Sequence, residues 1–251
     1  FVFHKTSLGL DCTLANRLRP FAHHHSSMTN AFLVGSKRTA FGSFGGKLSN
    51  ITAAQLGGYA AKAALAQLPA NTPVSSTVFG VVAHTDHTAP YTSRHVGHYA
   101  GLPVNVPALT INRLCGSGFQ AVINAIHEIK VGDSDVVLTG GTENMSMSPY
   151  TLHGVRFGNT RYGVDLKLGD SLAIALVDQV PVPTPMGITA ENLAEKYGIT
   201  RQQCDEFALQ SQQRWAKAQE DGAFKDEITP IEVKVKKATE IFEVDEYPRP
   251  K

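Results

Sequence analysis

Short apolar segments alternate with amphipathic segments between residues 31 and 138, and this alternation is the strongest constraint on the fold. The predicted strands are Ala31–Val34, Thr77–Ala83, Ala108–Asn112 and Asp135–Leu138. The predicted helices run from Thr52 to about Leu68, over Tyr91–Ala100 and over Ser117–Lys130. Strands joined by helices form mostly parallel, helix-covered sheets. The sequence therefore predicts an α/β fold.

The residue composition and periodicity of the sequence change after Tyr150. A polar, loop-rich stretch from Thr151 to Gly187 precedes two charged helices, predicted over Ala190–Tyr197 and Arg201–Asp221 behind threonine caps at Thr189 and Thr200. A strand-like run, I-E-V-K-V-K, follows them. We expect an α/β domain over residues 28–150 and a second, smaller unit over residues 151–251, inserted after the first α/β layer.

Composition excludes several classes of protein. Lys and Arg number 23 against 22 Asp and Glu, so the net charge gives no indication of a nucleic-acid partner. No apolar run approaches the roughly 18–20 residues that a membrane span requires. The three cysteines, Cys12, Cys115 and Cys204, are too few and too scattered for a disulfide framework or a thiolate metal site. A reducing compartment fits this composition best.

Residues 1–27 and the last few residues differ from the rest of the chain. The first stretch lacks clean periodicity, is basic and poor in acidic residues, and predicts a disordered leader or upstream extension. It is compatible with a mitochondrial presequence, and equally with translated upstream sequence or an expression scar. Because no closing helix or strand follows Tyr247, we also expect a C-terminal portion to be missing.

The run N-R-L-C-G-S-G-F-Q-A places Cys115 between a predicted strand and a predicted helix. The glycines allow another backbone or a substrate to approach closely. A helix N-terminus offers unpaired N–H groups and the positive end of its dipole, and both favour the thiolate that acyl transfer requires. The same N–H groups are candidates for holding an oxyanion. We interpret Cys115 as a nucleophile.

Structural roles are the alternative to functional ones for the cysteines and histidines. A lone thiol is ordinarily a buried structural cysteine, and the flanking glycines argue against that reading for Cys115. Cys12 and Cys204 lack such a setting, and we expect both to be inert. The i, i+3 histidine pairs are predicted to be structural or surface residues and no metal site is expected; the pairs are His84 with His87 and His95 with His98.

Several motifs of the chain, in order, resemble those of the thiolases. From about residue 28 to the end, the similar runs are K-R-T-A-F-G-S-F-G-G (37–46), R-H-V-G (94–97), P-A-L-T-I-N-R-L-C-G-S-G-F-Q-A (107–121), T-G-G-T-E-N-M-S-M-S-P-Y (139–150), T-A-E-N-L-A (189–194), A-L-Q-S-Q-Q-R (208–214) and D-E-I-T-P-I-E-V-K (226–234). The amino-acid sequence of these motifs is most similar to the branch of the family that cleaves 3-ketoacyl-CoA in mitochondria.

The resemblance implies a fold, a reaction and a setting. The fold is a layered domain with a helix-covered mixed sheet and an inserted loop domain. The reaction is a two-step acyl transfer of fatty-acid β-oxidation. In this reaction, Cys115 becomes acylated as acetyl-CoA leaves. The thiol of a second CoA then accepts the shortened acyl group. Coenzyme A is a substrate and no cofactor is implied. A homodimer or homotetramer is expected, in the mitochondrial matrix or alternatively in the cytoplasm or peroxisome.

The sequence also departs from the family pattern. Thiolases use a histidine of a G-H-P motif, a second cysteine of a C-x-G motif and an N-E-A-F run, and none of the three occurs in this sequence. Nucleophile–base units lose nearly all activity when one member is missing. We therefore expect the chain to be the N-terminal half of a thiolase and inactive as it stands.

Three residues are candidates for CoA binding through the same resemblance. Arg249 matches a loop-domain arginine that meets the CoA phosphates, which suits its forked guanidinium. Tyr150 corresponds to the pantetheine path, although core packing is nearly as good an interpretation, and Met186 corresponds to a loop near the acyl pocket.

Two other functions remain open. One is acetoacetyl-CoA thiolase, or a condensing enzyme of the same superfamily. The other is a non-catalytic thiolase-like polypeptide that binds CoA or pairs with a complete subunit.

Overall fold

The structure, a computed structural model, describes residues 1–6, 30–158, 160–235 and 238–249. The chain divides into two compact units. The first consists of Phe1–Lys37, Ala54–Val82 and Tyr91–Thr142; the second consists of Arg38–Ala53, Ala83–Pro90 and Glu143–Lys251. This division differs from the predicted domains, 28–150 and 151–251, because two short segments from the first half of the sequence belong to the second unit.

The first unit is built on a five-stranded mixed sheet with the order β2-β1-β5-β3-β4. β3 runs parallel to both β4 and β5, whereas β1 runs antiparallel to β2 and β5. The strands are β1 (Val2–Thr6), β2 (Asn30–Gly35), β3 (Ser76–Gly80), β4 (Ala108–Ile111) and β5 (Val136–Gly141). The predicted α/β class is confirmed.

Helices cover both faces of this sheet, and successive residues of its inner strands point into two different cores. On one face, Phe79 and Leu138 pack with residues of two helices, α1 (Ala53–Leu65) and α2 (Thr92–Tyr99). On the other face, Val78 and Val137 pack with Ala121, Ala125 and Ile129 of α3 (Ser117–Val131). A strand buried on both faces is typical of parallel sheets.

Among its described residues, the second unit contains three small two-stranded sheets and three α-helices. Its strands are β6 (Tyr150–Leu152), β7 (Leu168–Asp170), β8 (Val177–Asp178), β9 (Thr184–Pro185), β10 (Ile231–Val235) and β11 (Ala238–Phe242). Its helices are α4 (Ser171–Ala175), α5 (Met186–Tyr197) and α6 (Arg201–Glu220). The predicted cap of α6 is confirmed, since Thr200 and Gln203 form a reciprocal capping box.

One ion pair organises the centre of the second unit. Arg38 donates to both carboxylate oxygens of Asp245, at 2.7 and 3.1 Å, and to Glu227 at 2.8 Å. Asp245 also accepts from the backbone N–H of Phe41 at 2.8 Å and from the Trp215 indole at 3.2 Å. These contacts explain why residues 38–53 belong to the second unit.

Two predictions about local structure are wrong. The first 27 residues were expected to lack order, but Val2–Thr6 forms an interior strand with Val2 fully buried. The remainder of that leader, residues 7–27, lies outside the described residues. The helix expected to start after Thr189 begins about one turn earlier, at Met186. Pro185 is the N-cap residue of this helix, and its extended backbone, with φ −60°, leads directly into the first helical turn.

Neither a membrane span nor a metal-binding cluster is present in the described parts of the chain. No helix there combines the length and apolarity needed to cross a membrane. Likewise, the described His, Cys, Asp and Glu residues form no group of three or more suited to a metal ion.

The Arg38–Asp245 pair generates a prediction about stability. Burial by itself would raise the pKa of Asp245, but hydrogen bonds from Arg38, the Phe41 N–H and Trp215 outweigh it and hold the pKa below its ordinary value of 3.8. We expect Asp245→Asn to lower the free energy of unfolding by roughly 1–3 kcal/mol, because the buried carboxylate loses its charge, whereas Arg38, whose side chain is 25% exposed, keeps Glu227 as a partner. Urea unfolding followed by fluorescence of Trp215, the single tryptophan, measures this change.

The control is the exposed pair Lys47–Glu240, whose N–O distance is also 2.7 Å. Glu240→Gln should change stability by less than about 1 kcal/mol, since exposed pairs contribute little. Because the folded pKa of Asp245 lies below the unfolded one, its contribution is complete above the unfolded pKa, declines as pH falls below about 4, and is lost as pH falls through the lower folded pKa. Equal effects of the two substitutions would contradict a special role for Asp245.

Candidate active site

Cys115 lies between the end of β4 at Ile111 and the start of α3 at Ser117. The predicted strand, tight turn and helix are thus confirmed. The thiol is exposed and is not part of a disulfide. Exposure argues against the alternative reading of Cys115 as a buried structural cysteine.

Two polar side chains hold the turn that carries Cys115. Asn112 accepts a hydrogen bond from the Leu114 N–H at 2.9 Å and donates one to the Val82 carbonyl at 3.1 Å. Ser117 accepts from the Arg113 N–H at 2.8 Å and donates to the Leu114 carbonyl at 2.7 Å. Neither role was predicted from the sequence, although Asn and Ser bordering a tight turn are a recognisable signal.

Leu114, immediately before the cysteine, has a left-handed backbone with φ +49°. A non-glycine residue in this region costs roughly 1–2 kcal/mol. The side chains of Asn112 and Ser117 bond to the N–H and carbonyl of this one residue, and so stabilise a conformation that it would otherwise avoid. The turn reverses the chain direction within five residues and leaves the thiol facing solvent.

The start of α3 lies directly against the end of β3. A Cβ atom on Gly80 would lie 2.7 Å from both the carbonyl carbon and the Cβ of Ser117. Only glycine at position 80 leaves room for this contact, because real Cβ atoms do not approach so closely. Gly80 therefore sets the position of the helix N-terminus next to Cys115.

The second described thiol, Cys204, was expected to lack a setting like that of Cys115, but it shares two features with it. It is exposed and lies in the first turn of α6, one turn after Thr200. Neither exposure nor proximity to a helix start therefore distinguishes Cys115 from Cys204. The distinction lies in the strained turn, in Asn112 and Ser117, and in the close approach at Gly80. Cys12 lies outside the described residues.

The three candidate CoA-binding residues belong to the second unit. Tyr150 opens β6 and Met186 opens α5, and the side chains of both are exposed. Arg249, also exposed, lies beyond β11, and its backbone N–H donates to Gln212 of α6 at 2.6 Å. Cys115, by contrast, belongs to the first unit.

Comparison with known proteins gives a consistent result. Residues 31–251 match the family model for the thiolase N-terminal domain. The mitochondrial 3-ketoacyl-CoA thiolase of Rattus norvegicus is 51% identical over 225 residues, which is 89% of this chain and 56% of the relative. An acetyl-CoA acetyltransferase of Pseudomonas aeruginosa is 42% identical over 228 residues, covering 88% of this chain and 56% of the relative.

Solved structures agree. The crystal structure of human mitochondrial 3-ketoacyl-CoA thiolase has a TM-score of 0.83 at 52% identity, covering 87% of this chain and 55% of that one. The same human enzyme in complex with CoA has a TM-score of 0.80. The chain thus spans about 56% of the length of the curated relatives it matches.

Gly80 generates a prediction for which the same helix provides a control. Gly80→Ala should lower the free energy of unfolding by roughly 1–3 kcal/mol, as expected when a methyl group is forced into a packed contact. Gly118→Ala, in the first turn of α3, has nothing within 4 Å of the added Cβ. It should be neutral or stabilise the protein by roughly 0.5–1 kcal/mol. Urea unfolding followed by far-ultraviolet circular dichroism compares the two; equal effects would contradict the close approach.

Proposed function

Because the chain belongs to the thiolase family, we propose that it carries the nucleophilic part of a 3-ketoacyl-CoA thiolase, with Cys115 as the acyl-accepting residue. The observation that carries the proposal is the exposed thiol between β4 and α3 in a chain 51% identical to a mitochondrial 3-ketoacyl-CoA thiolase. The 42% identity to an acetyl-CoA acetyltransferase makes acetoacetyl-CoA the second candidate substrate.

The proposed reaction has two steps. The Sγ thiolate of Cys115 forms a bond to the keto carbon of a 3-ketoacyl-CoA, and the carbonyl oxygen becomes an oxyanion. The carbonyl then re-forms and the bond between C2 and C3 breaks. Its electron pair leaves with C2, which takes up a proton to give acetyl-CoA, while the shortened acyl group stays on Cys115. The thiolate of a second CoA attacks this thioester and releases Cys115.

The turn around Cys115 supports the first step by preorganisation. Asn112 and Ser117 hold the backbone on both sides of the thiol, so little reorganisation is needed when the substrate arrives. The first N–H groups of a helix lack intrahelical partners. Those of Gly116 and Ser117 already donate to the Arg113 and Leu114 carbonyls, at 3.1 and 3.0 Å, so the candidate donors are the N–H groups of the following residues of α3, Gly118 and Phe119. Donors of this kind stabilise an oxyanion when they point at the position where negative charge develops.

The remaining steps require groups from elsewhere. A thiol nucleophile is normally activated by a neighbouring base, and the departing carbanion needs a proton donor. The family motifs that supply these groups, G-H-P and C-x-G, do not occur in this sequence. We therefore assign the base and the proton donor to the part of a complete thiolase, about 44% of its length, that this chain does not span.

The second unit is the proposed site for CoA. Arg249 offers a charged fork for a phosphate group, and the aromatic ring of Tyr150 and the thioether of Met186 offer apolar contacts for pantetheine and the acyl chain. A related enzyme, human mitochondrial 3-ketoacyl-CoA thiolase, has been crystallised with CoA. We also propose a mitochondrial location and a homo-oligomeric state for the complete protein, the former supported by the mitochondrial relatives.

The nucleophile is tested by serine substitution in the full-length protein that contains this chain. Cys115→Ser should abolish CoA-dependent cleavage of 3-ketoacyl-CoA and the acyl adduct seen by intact-protein mass spectrometry, because a hydroxyl is a far weaker nucleophile at neutral pH. Cys204→Ser is the matched control, since Cys204 is also exposed near a helix start. Activity that survives Cys115→Ser, or that is lost in Cys204→Ser, would refute the assignment.

The CoA site is tested by Arg249→Gln, with kinetics measured at varied CoA concentration. Loss of a charge-assisted contact with phosphate corresponds to roughly a tenfold rise in the KM for CoA. The kcat should change little, because Arg249 does not take part in the chemical steps. Arg214→Gln, which removes another exposed arginine of the same unit, is the control and should leave the KM unchanged. An unaltered KM in Arg249→Gln would remove this residue from the site.

Substrate length separates the two candidate functions. The proposed function predicts a higher kcat/KM for 3-ketoacyl-CoA substrates with longer acyl chains than for acetoacetyl-CoA. The reverse order would favour acetyl-CoA acetyltransferase activity.

A further inference from the structure

The segment that carries Arg249 has no regular secondary structure to hold it. Residues 247–249 follow β11 and belong to no helix or strand. The Arg249 side chain is exposed, and no salt bridge among the described residues includes it. The place at which this arginine presents its guanidinium therefore depends on contacts of its backbone and of the residues just before it.

The first of these contacts is made by Glu246. Its carboxylate accepts hydrogen bonds from the backbone N–H of Ser43 at 2.9 Å and from that of Lys47 at 3.3 Å. Its own N–H donates to the Phe41 carbonyl at 2.8 Å. All of these partners belong to one turn of the second unit, residues 41–47. The backbone and the side chain of Glu246 are therefore fixed to the same turn.

The glycines of this turn make room for the carboxylate. A Cβ atom on Gly46 would lie 2.9 Å from the carboxyl carbon of Glu246, so a side chain at position 46 would displace this group. Gly45 has a left-handed backbone with φ +70°, and its N–H donates to the Ser146 hydroxyl at 2.9 Å. Successive backbone N–H groups in turns of this kind form anion-binding concavities. Here the anion is the side chain of Glu246.

The second contact is made by Gln212 of α6. Its side-chain carbonyl accepts a hydrogen bond from the backbone N–H of Arg249 at 2.6 Å. About one turn further along α6, the Trp215 indole donates to Asp245 at 3.2 Å, and Asp245 directly precedes Glu246. The helix that holds Arg249 is thus bonded to the residue next to the first contact, and the segment between the two contacts is held at both ends.

We propose that Gln212 and Glu246 are positioning residues of the CoA site, which fix the backbone of Arg249 so that its guanidinium meets a phosphate group without further ordering of the chain. The inference rests on the proposed role of Arg249 in CoA binding. A segment that is ordered before its ligand arrives loses less conformational freedom on binding, so the same contact gives a higher affinity. Both side chains act through Arg249 rather than on CoA itself.

The test uses the full-length protein that contains this chain, with kinetics measured at varied CoA concentration. Gln212→Leu removes the acceptor for the Arg249 N–H, and Glu246→Ala removes the carboxylate from the turn. Each should raise the KM for CoA by about threefold to tenfold, which does not exceed the effect expected of Arg249→Gln. The kcat should stay unchanged, because neither side chain takes part in the chemical steps. Glu246→Gln, which keeps one acceptor oxygen, should give a smaller rise than Glu246→Ala.

Two matched substitutions are the controls. Gln213→Leu changes the adjacent glutamine of α6, which is exposed. Glu240→Gln changes a carboxylate that bonds the Lys47 ammonium instead of the backbone of the turn. Both should leave the KM for CoA unchanged. An equal rise of the KM in the controls, or a fall in kcat with an unchanged KM in Gln212→Leu and Glu246→Ala, would overturn the proposal.

Combination with Arg249→Gln separates positioning from a general effect on the structure. Substitutions that act through one shared residue are not additive. Adding Gln212→Leu or Glu246→Ala to Arg249→Gln should therefore raise the KM for CoA no further. A further rise would contradict the proposal, because the two side chains would then act by a route that does not include Arg249.

The positioning role and the CoA contact fail in different ways. If Arg249→Gln raises the KM for CoA and neither Gln212→Leu nor Glu246→Ala does, only the positioning role is refuted, and a rise in one of these two variants refutes the role of the other residue. If Arg249→Gln leaves the KM unchanged, the CoA contact is refuted and the positioning role with it. Should Glu246→Ala fail to fold, as measured by circular dichroism, Gln212→Leu decides the question, because its contact lies at the exposed surface of α6.

Discussion

The close approach between β3 and α3 is the constraint on which the candidate site depends. A glycine at position 80 lets the first residue of α3, Ser117, lie against the end of the strand. Once the helix start is fixed there, the chain has five residues, 112–116, in which to turn from β4 into α3. The left-handed conformation of Leu114 follows from this short connection, and it leaves the thiol of Cys115 exposed.

Polar side chains in this turn offset the strain that the turn creates. Leu114, the left-handed residue of the turn, accepts a hydrogen bond at its carbonyl from Ser117 and donates one from its N–H to Asn112. Strained residues persist at functional sites only where their surroundings determine the conformation. The exposed cysteine held by this turn supports the proposal that Cys115 is the nucleophile.

The second unit depends on a different kind of contact. Its centre is a charged network in which Asp245 accepts hydrogen bonds from Arg38, the Phe41 backbone and Trp215. Because these partners come from distant parts of the sequence, the network joins the segment 38–53 to residues after 143. A buried carboxylate such as Asp245 depends on having its partners in place, which makes the segment carrying Arg38 part of the second unit despite its position in the sequence.

Sequence by itself determined the features that are local. The alternation of strands and helices, the capping box at Thr200 and the placement of Cys115 before a helix could all be read from neighbouring residues, because periodicity, caps and turns depend on short-range chemistry. Only the tertiary structure decided the features that depend on distant partners. The interior position of Val2–Thr6 requires both β2 and β5, and the assignment of residues 38–53 requires Asp245. Neither leaves a local pattern in the sequence, since each is a pairing between segments more than 20 residues apart.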